Sequence, residues 1–241
     1  MVLVSHSHEF LFIKTGKTAG TSVEMYLEPF CRPPGARITE RTRQHKSRYG
    51  IVGARMTGHG NALTRALFPW RNHMSAADIR ARLGKRRWDR YARITTIRNP
   101  FDKALSQYLW KTRSPTPQTP EELADFRAAF LEHLASYRGL ADHDTLHIDG
   151  SYAATMTIRY EYLQDDLAKV CQTLDLETHG RALPHTKRTR DTGARPLAAY
   201  YDPRAIDIVR DRYAWIFERF GYAPDPADPI PDLSHDITGV A

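Results

Sequence analysis

Phe10-Leu-Phe-Ile-Lys14-Thr-Gly-Lys-Thr-Ala-Gly-Thr-Ser22 is the stretch that decides the fold. Phe10 to Ile13 is a short apolar run of strand character. Downstream, Ala19, Val23, Leu27 and Phe30 recur at helical spacing, until Pro33-Pro34 stops the pattern. The order is therefore strand, tight loop, helix. A helix start carries backbone N–H groups with no intrahelical acceptor, and the helix dipole adds positive potential there. Gly16 and Gly20 let the backbone curl and approach a ligand closely. Thr18, Thr21 and Ser22 add hydroxyls, and Lys14 and Lys17 add charge. Together these residues read as an anion cradle of the phosphate-binding type.

The same alternation continues outward. Residues 32–60 are rich in Arg, Gly and Thr and read as an irregular basic connection. Ser75-Ala-Ala-Asp78 is a capping-box variant ahead of a two-turn helix with Ile79 and Leu83, ended by Gly84. Tyr91 to Ile97 is β-branched and aromatic, a second strand. Asn99-Pro100 then supplies an N-cap and an N1 proline for a helix reaching about Arg113. Leu123, Phe126, Phe130 and Leu134 mark another helix. Ala154 to Tyr160 reads as a third strand, followed by a helix with Leu163, Leu167, Val170 and Leu174. Residues 180–200 form a basic loop. Asp202-Pro203 caps a last helix with Ile206, Val209, Tyr213, Ile216 and Phe220. Strands alternating with helices predict an α/β fold with a parallel sheet, whose ligands bind at the carboxyl ends of strands. One domain over 1–222 is expected, with a Pro/Asp-rich, poorly ordered tail over 223–241.

Composition agrees with a folded protein. Of 241 residues, 41% are hydrophobic and 26% charged, enough to build a core. The net charge of +7 points to an anionic ligand or partner. Two cysteines exclude a disulfide framework and a four-thiolate zinc site. No apolar run approaches the ~20 residues of a membrane span, and residues 1–9 lack the basic start of a secretory signal. A cytoplasmic location is the expectation.

Two details refine the anion site. Gly16-Lys17-Thr18 fits the end of a Walker A loop, but its first glycine would fall on Leu11, which speaks against a triphosphate-binding loop. Arg98, at the end of the second strand, and Ser106, two turns into the next helix, can converge on one phosphate. On its own, Arg98 reads better as a surface ion-pair partner of Asp102, and Ser106 as a hydroxyl bonded within its helix or exposed; the first loop gives the pair its weight.

These residues resemble a known family. Phe12-Ile-Lys-Thr-Gly-Lys-Thr-Ala-Gly-Thr-Ser-Val23 is similar to the 5′-phosphosulfate loop of sulfotransferases that use 3′-phosphoadenosine 5′-phosphosulfate (PAPS), in their bacterial and carbohydrate branch. Ile97-Arg-Asn-Pro-Phe-Asp-Lys-Ala-Leu-Ser-Gln-Tyr108 resembles that family's 3′-phosphate motif. Softer likeness runs through Asn72–Ile79, Ile158–Leu163 and Leu183–Arg188 to the final helix. The resemblance implies a P-loop-like three-layer sandwich with a central parallel sheet flanked by helices. It implies that Lys17 contacts the bridging and sulfuryl oxygens, that Thr18 to Ser22 hold the 5′-phosphate, and that Arg98 and Ser106 hold the 3′-phosphate. The loop with Lys187 and Arg188 would close over the nucleotide. Lys14 and Gly16 depart from the common residues at their positions.

Transfer to a hydroxyl needs a base, and histidine titrates in the useful range. By the family's habit of placing a histidine upstream of the 3′-phosphate arginine, His73 is the first choice and His59 the second. Glu161 reads as a structural ion-pair partner. No metal is expected. The acceptor would be a carbohydrate or a small metabolite. Arg37, Arg41, Arg43, Lys46 and Arg48 read as a solvated loop or as a grip on an acidic acceptor. A small-molecule kinase would need a Walker B acidic strand end, which is missing. A nucleic-acid binder would need aromatic residues among the basic ones, where only Tyr49 stands.

Overall fold

The structure is a computed structural model and describes residues 2–40, 42–55, 69–137, 142–184 and 195–228. Its described part forms two compact units. One holds the described residues up to Ile97 together with those from His143 to 184; the other holds those from Arg98 to Asp142 and from 195 onward.

The first unit is built on a sheet. Its strands are β1 (Val2–Ser5), β2 (Phe10–Ile13), β3 (His45–Lys46), β4 (Gly50–Val52), β5 (Ala92–Ile97) and, from the later segment, Met156–Arg159. His147–Ile148 and Ser151–Tyr152 form a separate hairpin, β6 and β7, so Met156–Arg159 is β8. Among the described residues the main sheet runs β3-β4-β1-β2-β5-β8. β2, β5 and β8 are parallel neighbours, with Phe12 opposite Ile94 and Thr95 opposite Thr157. β1 pairs antiparallel with both β2 and β4, and β3 antiparallel with β4. The sheet is therefore mixed, and the expected parallel sheet is corrected to its β2-β5-β8 half.

Short strands explain that miss. Val2-Leu-Val-Ser5 is buried throughout, so it shows no alternation, and it turns back through His6–Glu9 with Glu9 in the left-handed region at φ 51°. β3 and β4 are two and three residues long, too short for a periodic signal in a stretch read as irregular. Gly50 makes the close approach of β4 to β1 possible. A Cβ there would stand 2.0 Å from the Val4 carbonyl oxygen and 3.1 Å from that of Cys31. Gly50→Ala is expected to destabilise the protein by about 1–3 kcal/mol through overpacking. Urea unfolding measures this, and a wild-type midpoint would contradict the β1–β4 register.

One face of the sheet carries Leu3, Phe10, Phe12, Val52, Ile94, Met156 and Ile158. They pack with Val23, Tyr26 and Leu27 of α1 (Gly20–Leu27) and with Leu167, Val170 and Cys171 of a helix at Leu163–Thr173. The opposite-pointing Val2, Val4, Leu11 and Ile13 are also buried, which is why β2 reads as an unbroken apolar run. Two further helices in this unit are α2 (Ala76–Leu83), capped by Ser75 accepting from the Asp78 N–H at 3.1 Å, and α3 (Lys85–Arg90), anchored by buried Trp88. α3 lies where the sequence reading had only a link between Gly84 and Tyr91. Arg159, closing β8, meets Asp166 of the Leu163–Thr173 helix: Nε donates to Oδ2 at 2.8 Å and Nη2 to Oδ1 at 2.7 Å, while its backbone N–H also donates to Oδ2.

The second unit is helical. It contains α4 (Pro100–Thr112), α5 (Pro120–Ser136) and, after the short α6 (His143–Leu146) and α7 (Leu163–Thr173) of the first unit, α8 (Pro203–Arg212) and α9 (Ala214–Phe220). Asn99 Oδ1 accepts from the Phe101 and Asp102 N–H groups, as its cap position predicts. α5 starts with a full capping box between Thr119 and Glu122. The last helix breaks at Tyr213 into α8 and α9, where the sequence reading had one. Edge-to-face rings of Phe101, Tyr108, Phe126, Phe130, Tyr200 and Tyr201 form the core of this unit.

Candidate functional site

The loop between β2 and α1 is pinned from below by hydroxyls. Thr15 donates to the Thr96 carbonyl at 2.6 Å, and Thr18 Oγ1 lies 2.8 Å from Thr15 Oγ1 and 2.7 Å from Thr96 Oγ1. All three threonines are buried. The Thr18 hydroxyl is thus committed to β5, and what this residue can offer a ligand is its backbone N–H.

Above that anchor the backbone alternates in hand. Lys17 has φ 60° and Ala19 φ 58°, while Gly16, Thr18 and Gly20 stay on the negative side. Alternation of this kind is a feature of anion-binding nests, in which successive N–H groups converge. α1 follows immediately, and its N-cap is Ala19, which has no side-chain acceptor for the first-turn N–H groups. Gly16 has open space around its Cα, with nothing within 4 Å of where a Cβ would stand. The loop therefore presents donors, positive dipole and clearance together, which is the chemistry that binds a phosphate or sulfate.

Lys14 joins Thr18 among the expected ligands whose side chains are turned inward. Lys14 is buried, and its Nζ donates to Glu24 at 2.8 Å and to the Thr21 hydroxyl at 3.0 Å. Its charge is matched inside the protein. Gly20 exists for the same reason: a Cβ there would come within 2.8 Å of Lys14 Cγ and 3.2 Å of Cε. Lys17 is part-exposed and Ser22 buried, and both make contacts of their own.

In the helical unit, Arg98 sits just before α4 with its guanidinium on Asp102, Nε to Oδ2 at 2.8 Å and Nη2 to Oδ2 at 2.6 Å. This is the ion pair its spacing allows. Ser106 lies on the buried side of α4. Both residues have further interactions, so neither is idle.

His73 stands two residues before the Ser75 cap, in the left-handed region at φ 51°. It is exposed over its outer surface, while protein packed around the ring and the positive charge of Lys14 hold its pKa down to about 4. The imidazole is neutral throughout the physiological range. His59, Lys187 and Arg188 lie outside the described residues.

Glu24 and Thr96 were missed by the sequence reading. Both are marked only by their distance in space from the loop they hold, although Glu24 does lie one turn beyond Thr21 on the same helix. Arg159 pairs with Asp166, seven residues on, and Glu161 has an interaction of its own.

Among the described residues no group of three or more His, Cys, Asp or Glu is arranged to hold a metal, and no helix is long and apolar enough to cross a membrane. Comparison with protein-family models, with curated proteins and with solved structures finds no match to this chain.

Proposed function

We propose that the chain is a PAPS-dependent sulfotransferase that moves a sulfuryl group to a hydroxyl of a carbohydrate or small metabolite. The observation that carries this reading is the loop Gly16–Ser22: backbone of alternating hand opening an α-helix whose N-cap brings no side chain to its own N–H groups. The residue-by-residue likeness to the 5′-phosphosulfate and 3′-phosphate motifs adds the identity of the anion.

In this reading the backbone N–H groups of Thr18 to Ser22 bind the 5′-phosphate, and Arg98 and Ser106 bind the 3′-phosphate. Lys17 lies against the bridging oxygen. The acceptor oxygen attacks sulfur in line, the sulfur–oxygen bond to the 5′-phosphate breaks, and adenosine 3′,5′-bisphosphate leaves with the bond's electron pair. Lys17 stabilises the charge that grows on the bridging oxygen. His73 takes the acceptor's proton.

The low pKa of His73 gives this role a pH signature. A base that is neutral above about pH 4 leaves the rate flat across neutrality, with an acid limb near 4. His73→Ala is expected to lower turnover by roughly 10²–10⁴ and to abolish that limb. A loss below about tenfold would move the role to another base, His59 being next in order.

The test of the function is direct. Purified protein is incubated with ³⁵S-labelled PAPS and candidate hydroxyl compounds, and labelled products are identified by mass spectrometry. Protein-dependent appearance of a sulfate ester supports the reading; label confined to PAPS and inorganic sulfate across carbohydrates and small metabolites contradicts it.

A further inference from the structure

We propose that Glu24 is a positioning residue for the anion loop, acting through Lys14, whose side chain clamps the two stems of the loop together. The inference rests on the donor reading given above for what the loop binds, but it assigns Lys14 to the loop's architecture rather than to the donor.

Lys14 directly follows β2, and Thr21 and Glu24 lie in the first turns of α1. The Lys14 side chain spans from one to the other beneath the nest, passing so close to Gly20 that no side chain fits there. Its ammonium ends on Thr21 Oγ1 and Glu24 Oε2. Glu24 is fully buried, as is Glu28 one turn on. Arg55, itself buried, reaches both: its Nε is 3.7 Å from Glu24 Oε2, and its Nη2 pairs with Glu28. Arg32 Nε closes the chain on Glu28 at 2.7 Å. Burial pushes the Glu24 carboxyl up, but the cations around it, Lys14 and Arg55 among them, more than offset this, so it stays ionised. Burial raises Glu28 despite Arg55 and Arg32. A lysine this enclosed has no conformational freedom left to follow a ligand, and the strands and helix it joins are the two ends of the Gly16–Ser22 curl.

Electrostatics and positioning make opposite predictions for one substitution. Glu24→Gln removes a negative charge near the phosphate site, so Coulomb's law alone predicts tighter anion binding. The clamp predicts weaker binding, because Lys14 loses its anchor and the nest loses its fixed curvature.

The experiment measures adenosine 3′,5′-bisphosphate binding by calorimetry for the full chain, Glu24→Gln, Lys14→Met and the double variant, with hydrogen exchange of the ligand-free proteins in parallel. The clamp predicts that each single variant binds about tenfold more weakly, that the double variant is no worse than the worse single one, and that amides of residues 15–22 exchange at least about tenfold faster. Thr21→Val, which removes only one anchor of the ammonium, keeps the test open if Glu24→Gln does not fold; its affinity should fall with little change in melting temperature. A merely structural Glu24 would lower the melting temperature yet leave affinity unmoved well below it. Binding by Glu24→Gln as tight as wild type or tighter, or unchanged exchange over 15–22, overturns the clamp. Failure of the wild-type protein to bind overturns the donor reading instead, and the exchange rates then decide the clamp on their own.

Discussion

Lys17→Ala should lower the turnover of sulfuryl transfer by about 10²–10³ while changing the affinity for adenosine 3′,5′-bisphosphate much less. The asymmetry is the point. Charge on the bridging oxygen is small in bound PAPS and large in the transition state, so an ammonium there acts mostly on the rate. In the proposed reaction this is the part of Lys17, which at φ 60° is one of the two left-handed residues of the curl and is part-exposed where Lys14 is buried. Lys14, already neutralised by Glu24, cannot substitute for it. Steady-state kinetics with PAPS and an accepted hydroxyl compound measures both quantities. Wild-type turnover would remove Lys17 from the chemistry, and a loss carried by KM alone would make it a binding residue only.

Asp166→Ala should destabilise the protein by about 3–5 kcal/mol, as expected when a buried ion pair loses one partner. Asp166 is fully buried and takes three hydrogen bonds from Arg159, two from the guanidinium and one from the backbone. Its loss strands a cation at the end of β8 and detaches the start of α7. The double variant Arg159→Met/Asp166→Leu should recover much of the loss, because an apolar pair of similar volume needs no desolvation of charge. Guanidinium unfolding reads both. A single-variant loss below about 1 kcal/mol would mean the pair is solvated and would contradict its burial.

The parts of the fold that were legible in the sequence are those with long periods or strong caps. α4 announces itself through Asn99-Pro100, and α7 through Leu163, Leu167 and Val170. The parallel neighbours β2, β5 and β8 each read as strands because each is followed by a helix that punctuates it. The antiparallel half was illegible for a physical reason. Val2–Ser5 is buried on both faces and only four residues long, and β3 with β4 adds five more, so neither alternation nor length separates them from loop. The break at Tyr213 is equally silent, since the apolar spacing runs on through it. At the site, the order strand, loop, helix was legible in the sequence but not the fate of the loop's side chains. Lys14, Thr18 and Thr21 look alike in a string of polar residues. Which of them turns inward depends on Glu24 and Thr96, ten and 78 positions from their partners. A tertiary contact of that kind leaves no local mark.

The proposed function stands on this chain binding a nucleotide that carries a 3′- and a 5′-phosphate, with the Gly16–Ser22 loop as the 5′-phosphate site. Isothermal titration of the full chain with adenosine 3′,5′-bisphosphate tests it most directly. The account predicts one saturable site per chain, weakened by Arg98→Ala and weakened again when adenosine 5′-monophosphate replaces the bisphosphate. No saturation by about 1 mM ligand, equivalent to less than about 4 kcal/mol of binding, or equal affinity for the two nucleotides, would contradict it.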